Sequence, residues 1–228
     1  MNEPTGIASP EALQAARDAI VLATLNHVTF DGWSRRSLAA GTEEAGFGPE
    51  VADRAFPGGV PDLLEAFSDL ADREMLAEME RRGVAEMRVR DRIATGVRAR
   101  LEWLAPHREA VRRSLSYLSL PLNLGLAARL TYSTVNAIWY AAGDESADFN
   151  FYTKRGLLAP VYSTTVLYWL ADEGDEEGDF PETWAYLDRR LADVLKIPGY
   201  QAKLKKRLSG LDPRRMRAAR RRRFHPAS

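Results

Sequence analysis

Apolar residues recur three and four positions apart along almost the whole chain, and no stretch alternates β-branched residues as a strand would. That spacing confines the chain to an all-α architecture. Ser9-Pro10-Glu11 reads as an N-cap with proline at the first helical position, so a helix follows to about Asn26. Short helices are predicted over Ser34–Glu44 and Pro49–Ala55, parted by Gly46-Phe47-Gly48. Phe56-Pro57-Gly58-Gly59 interrupts the pattern, and a longer helix runs from about Pro61 to Arg82. Further helices are expected near 86–104, 107–117, 121–142, 147–171 and 181–195, and a short one beyond Tyr200, giving nine or ten in all.

The middle of the chain is unusually apolar. Residues 114–143 carry one formal charge, Arg129. The length would span a bilayer. Pro121 divides it, however, and Ser116, Ser119, Asn123, Thr131, Ser133, Thr134 and Asn136 are spread through it. A lipid-facing arginine would cost several kcal/mol on insertion scales. Two helices inside a bundle fit better, with Leu115 and Leu118 on the first and Leu122, Leu126, Leu130, Ile138 and Trp139 on the second. From pattern alone, a packed interior is the default for such residues.

The net charge of zero hides a division. Of 32 basic and 32 acidic residues, 12 basic and one acidic lie in residues 196–228. Tyr200, Leu204, Leu208 and Leu211 repeat at helical spacing there, among Lys203, Lys205, Lys206 and Arg207. That is a short basic amphipathic helix suited to an anionic membrane surface. A solvated tail is the plainer alternative. Tyr200 and Phe224 are too few aromatics for a nucleic-acid stacking platform. Residues 172–179 hold six acids and are expected to form a solvated loop.

Gly143-Asp144-Glu145-Ser146-Ala147-Asp148-Phe149-Asn150-Phe151-Tyr152-Thr153-Lys154-Arg155 is the most distinctive run. Adjacent helical side chains point about 100° apart, so Phe151 and Tyr152 cannot share one narrow core seam. One ring is expected at the surface, as a contact, unless the helix is apolar nearly all round. The run resembles the signature of the ninth Coq protein family, lipid-binding accessory factors of ubiquinone biosynthesis. That family usually shows Gly-Asp-x-Ser-x-Asp-Phe-Asn-Trp-Tyr-Thr-Lys/Arg-Arg, so Phe151 stands where it prefers Trp. The likeness continues through Leu167-Tyr168-Trp169-Leu170 and Thr183-Trp184-Ala185-Tyr186-Leu187-Asp188-Arg189-Arg190, and back to Phe56-Pro57-Gly58-Gly59.

The resemblance implies a TetR-like helical bundle with a helix-turn-helix-like start. Residues 1–8 would be a flexible N-terminus, 9–58 the three-helix segment, 59–197 the lipid-binding bundle and 198–228 the basic amphipathic helix and tail. It implies a bound isoprenoid quinone precursor or phospholipid rather than a catalytic cofactor. The expected cavity wall is Leu118, Leu122, Leu126, Leu130, Trp139, Val161 and Tyr162. It also implies a partner, the di-iron demethoxyubiquinone hydroxylase, contacted through Asp148, Phe151 and Tyr152. Membrane contact would fall to Tyr200, Lys203, Leu204, Lys205, Lys206, Arg207, Leu208 and Leu211. TetR-like bundles commonly pair through late helices, so a homodimer is an expectation too.

Catalysis finds no support in the sequence. His27, His107 and His225 lack metal-ligand spacing, no Glu-x-x-His pair serves a di-iron centre, and no glycine loop cradles phosphate. The alternative is a TetR-type ligand-responsive regulator. Against it, the segment that would read DNA, residues 48–55, carries Glu50 and Asp53 against one arginine, Arg54. There are no cysteines, and Met1-Asn2-Glu3-Pro4 does not begin a secretory signal. A cytoplasmic protein peripheral to the inner face of the membrane is the expected location.

Overall fold

The computed structural model describes residues 9–144 and 149–194, with only the backbone described at 149–151. Eight helices follow in order: α1 (Pro10–Asp31), α2 (Arg35–Glu44), α3 (Pro49–Ala55), α4 (Val60–Arg81), α5 (Val89–Leu104), α6 (Arg108–Leu118), α7 (Leu124–Ala141) and α8 (Phe149–Ala171). Residues 181–194 add a further helix, α9. No strand occurs among the described residues.

The caps explain most boundaries. The Ser9 hydroxyl accepts from the Ala12 amide, and Pro10 fills the first turn, where its missing N–H costs nothing. Ser34 and Ser37 form a reciprocal capping box at the start of α2. The first helix runs past the expected Asn26 to Asp31, because Val28 still faces the core. Gly32 ends it with φ 65°, a left-handed value that glycine adopts cheaply.

Helix α4 is the central element and packs on α1, α2, α5 and α7. Its buried face holds Leu63, Leu64, Phe67, Leu70, Met75 and Met79. Trp33, between α1 and α2, is buried and donates its indole N–H to the Ala110 carbonyl at 3.0 Å, which ties the N-terminal segment to α6. Helix α8 packs on α7 and α5.

Helix α9 is held through its aromatic face. The Trp184 ring lies edge-on to Phe180 and beneath the Arg98 guanidinium, 4.8 Å from its centroid. The acidic 172–179 loop is not merely solvated. Asp172 accepts from the Thr183 hydroxyl at 2.6 Å and from the amides of Thr183 and Gly174. Asp179 accepts from the Trp184 indole at 2.6 Å. Burial opposes the charge of Asp172, but these donors outweigh it and hold its carboxyl below the usual range. The Trp184 indole and the Phe180 amide do the same for Asp179.

Candidate functional site

Helices α4 to α8 enclose a cavity of about 420 Å³. Leu64 and Phe67 of α4, Leu104 of α5, Val111, Leu115 and Leu118 of α6, Leu124, Ala127 and Leu130 of α7, and Val166 and Leu167 of α8 make its walls apolar. The cavity reaches the surface, since Ser119, Leu124 and Leu167 line it and are exposed. Its size lies within the range of small-molecule sites, roughly 300–1,000 Å³.

Part of the lining is polar, and there the side chains are buried. Arg100 of α5 donates from Nε to Asp72 of α4 at 2.7 Å, and from Nη1 to the Tyr162 hydroxyl of α8 at 2.8 Å. Its Nη2 donates to the Ser68 hydroxyl of α4 at 3.0 Å. The Thr134 hydroxyl of α7 donates to Asp72 at 2.9 Å. All five residues are buried, so this network is shielded from bulk water. Burial pulls Arg100 towards neutrality, but Tyr162 and Asp72 outweigh it and its pKa stays raised. Burial raises the Tyr162 phenol against the opposing pull of Arg100. Both groups are therefore protonated at neutral pH, and the Arg100–Asp72 pair is internally compensated. Ser68, Arg100, Thr134 and Tyr162 line the cavity, so the network forms a hydrogen-bonding floor beneath apolar walls.

Three of the seven expected wall residues, Leu118, Leu130 and Tyr162, line this cavity. The other four do not, for reasons of helix boundary or helical phase. Helix α7 starts at Leu124 rather than 121, so Leu122 sits on the connecting turn and is 98% exposed. Leu126 lies on α7 off the face formed by Leu124, Ala127, Leu130 and Thr134, and is half-buried. Trp139 is nine residues beyond Leu130, about 180° round the helix. Val161 neighbours Tyr162 but turns into the core.

The sequence reading missed the floor. A signal was present: Asp72 and Arg100 occupy the apolar register of their helices. Ser68 and Asp72 stand between Leu64 and Met75 on the buried face of α4, and Arg100 between Val97 and Leu104 on that of α5. A charge at a core position must find a partner there.

The 143–155 run divides into two kinds of residue. Gly143 turns the chain with φ 83°. The Asp144 carboxylate, 2% exposed, accepts from Lys154 Nζ at 2.6 Å and Arg155 Nη1 at 2.9 Å. Arg155 also donates to the Asn136 amide oxygen at 2.8 Å, and the Trp139 indole donates to the Lys154 carbonyl at 3.2 Å. These residues lock α8 to the end of α7, and here Trp139 has its place. Tyr152, by contrast, is 69% exposed. Asp148, the Phe151 side chain and the segment with Tyr200, Lys203, Leu204, Lys205, Lys206, Arg207, Leu208 and Leu211 lie outside the described residues.

Helices α2 and α3 expose Glu43, Glu44, Glu50 and Asp53, with Arg35, Arg36 and Arg54 as their cations. Acids outnumber bases on the surface a DNA backbone would approach.

Comparison with known proteins bears on the family and the fold. Residues 124–198 match the COQ9 family model. The ubiquinone biosynthesis protein COQ9 of Rattus norvegicus is 33% identical over 202 residues, covering 85% of this chain and 62% of the rat protein. The chain is a relative of COQ9. The Homo sapiens COQ9 is 32% identical over 199 residues, covering 85% of this chain and 61% of that protein. Drosophila melanogaster COQ9 is 29% identical over 198 residues. The chain thus spans about three fifths of the length of these COQ9 relatives, all named as mitochondrial. A TetR transcriptional regulator from Nitrosomonas europaea superposes with TM-score 0.61 at 23% identity, covering 79% of this chain and 98% of that one. This likeness establishes a TetR-like fold. Among the described residues no helix is long and apolar enough to cross a membrane.

Proposed function

We propose that this protein is a non-catalytic accessory factor of ubiquinone biosynthesis. It holds a hydrophobic isoprenoid quinone precursor, takes it up at the membrane and presents it to the demethoxyubiquinone hydroxylase. The observation that carries this reading is the cavity: apolar walls above a buried, charge-compensated hydrogen-bonding floor, in a relative of COQ9. An isoprenoid tail binds through apolar area, at roughly 25 cal/mol per Å² buried. A quinone or phenol head is a neutral hydrogen-bonding group, and a floor already neutralised by its own ion pair favours such a head over a second charge.

The partner contact is placed on Tyr152 with Asp148 and Phe151, and the anionic membrane contact on the basic residues beyond 198. Pairing of two copies through late helices belongs to the same reading. The TetR-type regulator is not favoured, because the superposition speaks for the fold alone and the N-terminal surface is acidic.

Mass spectrometry of solvent extracts from the purified protein tests the cargo. A quinone or isoprenoid lipid in near-stoichiometric amount is expected, and protein that carries none contradicts the proposal. Replacing Tyr152 with Lys tests the partner patch. Hydroxylase binding should fall at least about tenfold with the melting temperature unchanged, as for an exposed interface aromatic. A loss of both would move Tyr152 from the interface into the fold.

A further inference from the structure

The turn between α6 and α7 carries leucines that the fold leaves outside. Leu120 is 53% exposed, Leu122 98% and Leu124 56%. Pro121 and the Asn123 side chain, which donates to the Tyr117 carbonyl at 2.9 Å, hold the turn in shape. From Ser114 to Ala128 the sequence has no charged residue. Arg112 and Arg113 precede that uncharged stretch and Arg129 follows it, and Arg112 and Arg129 are exposed. The same segment borders the cavity opening, because Leu118 and Leu124 line the cavity.

A second protein copy is a poor match for this feature. Stable interfaces need about 800 Å² from each partner. Three exposed leucines on one turn offer a few hundred Å² at most. A bilayer needs no complementary shape. It accepts apolar side chains some 5–10 Å below the headgroup boundary, with arginines at headgroup level. We infer that the α6–α7 turn is a bilayer-inserting portal: Leu120, Leu122 and Leu124 enter the acyl region and set the cavity mouth against the lipid phase. This contact is separate from the basic segment beyond 198. It rests on the lipid-carrier reading only for its purpose, not for its physics.

The chain has no cysteine, so Leu122→Cys takes a single environment-sensitive fluorophore. The probe vesicles are neutral phosphatidylcholine in high salt, where contacts of basic residues with lipid are screened. Emission of the full-length labelled protein should shift to the blue as vesicles are added, while the same label at the exposed Ala39→Cys should not shift. No shift at position 122 overturns the portal. A blue emission without vesicles that grows with protein concentration overturns it in favour of a second copy. One that is independent of concentration overturns it in favour of cover by the chain's own residues. The double variant Leu120→Ser and Leu122→Ser should partition into these vesicles at least about tenfold less, with an unchanged melting temperature. Unchanged partition also refutes the portal. Lipid carried through purification is measured separately. A chain that carries lipid but ignores neutral vesicles refutes the portal alone, and one that binds vesicles but carries no lipid refutes the carrier reading alone.

Discussion

Two concavities among the described residues are of similar size and opposite chemistry. One, of about 460 Å³, lies between α2 and α3 and is lined by Arg35, Thr42, Glu43 and Asp53 with Leu38, Phe47 and Phe56. The other, of about 420 Å³, is the bundle cavity. Volume does not separate them. In the first, the three charged side chains are exposed and keep their hydration. In the second, the charges are buried and every one is tied to a partner on another helix. A desolvated, fully paired polar floor is costly to maintain as packing alone, which favours the second concavity as the proposed site.

The widest expected difference is in stability. Asp72→Ala strands the Arg100 cation in the interior and should cost about 3–5 kcal/mol in a denaturant titration. Asp53→Ala in the α2–α3 groove should stay within about 0.5 kcal/mol. Equal effects would erase the distinction.

Occupancy gives the next contrast. Ala127→Trp fills the bundle cavity, at an overpacking cost of about 1–3 kcal/mol, and co-purifying lipid should fall at least about tenfold. Ala39→Trp in the α2–α3 groove should leave lipid content unchanged. A reversed pattern would move the site to the groove.

Tyr162→Phe is subtler. It removes one hydrogen bond from the charged Arg100, worth about 1.5–3 kcal/mol. Preference for a quinone bearing a short tail over a plain hydrocarbon of equal length should shrink with it. An unchanged preference would mean that the floor serves only the fold.

The smallest effect is set by acid. The carboxyls of Asp172 and Asp179 are depressed in the folded state, so their stabilisation is complete above the ordinary Asp value of about 3.9. It is lost as pH falls through the depressed values. In Asp172→Asn the acid limb of the stability curve should be shallower, with little change in the affinity of the cavity for lipid.

Helix order and most boundaries were legible in the sequence because caps and stops are local. Pro49–Ala55 is bounded as expected. The end of α1 was not, since Val28 shows its core role only once α4 and α6 are in place. The site was half legible. Apolar content pointed to helices that line the cavity, yet Leu122 was assigned to its wall without the true start of α7 and Trp139 without its phase on that helix. Asp72 and Arg100 stayed hidden because two charges 28 residues apart become a pair only when α4 packs on α5. The 143–155 run showed its importance but not its division of labour. Asp144, Lys154 and Arg155 turn inward to fasten two helices, and this pairing exists only in three dimensions.

If the cavity carries a guest as proposed, the closure of Arg100 on Asp72 bears on its handover. Because the two charges cancel whether or not a guest is present, arrival and departure of a neutral guest move no net charge. Such a handover is electroneutral. It should proceed at the same rate beside an energised membrane and a depolarised one.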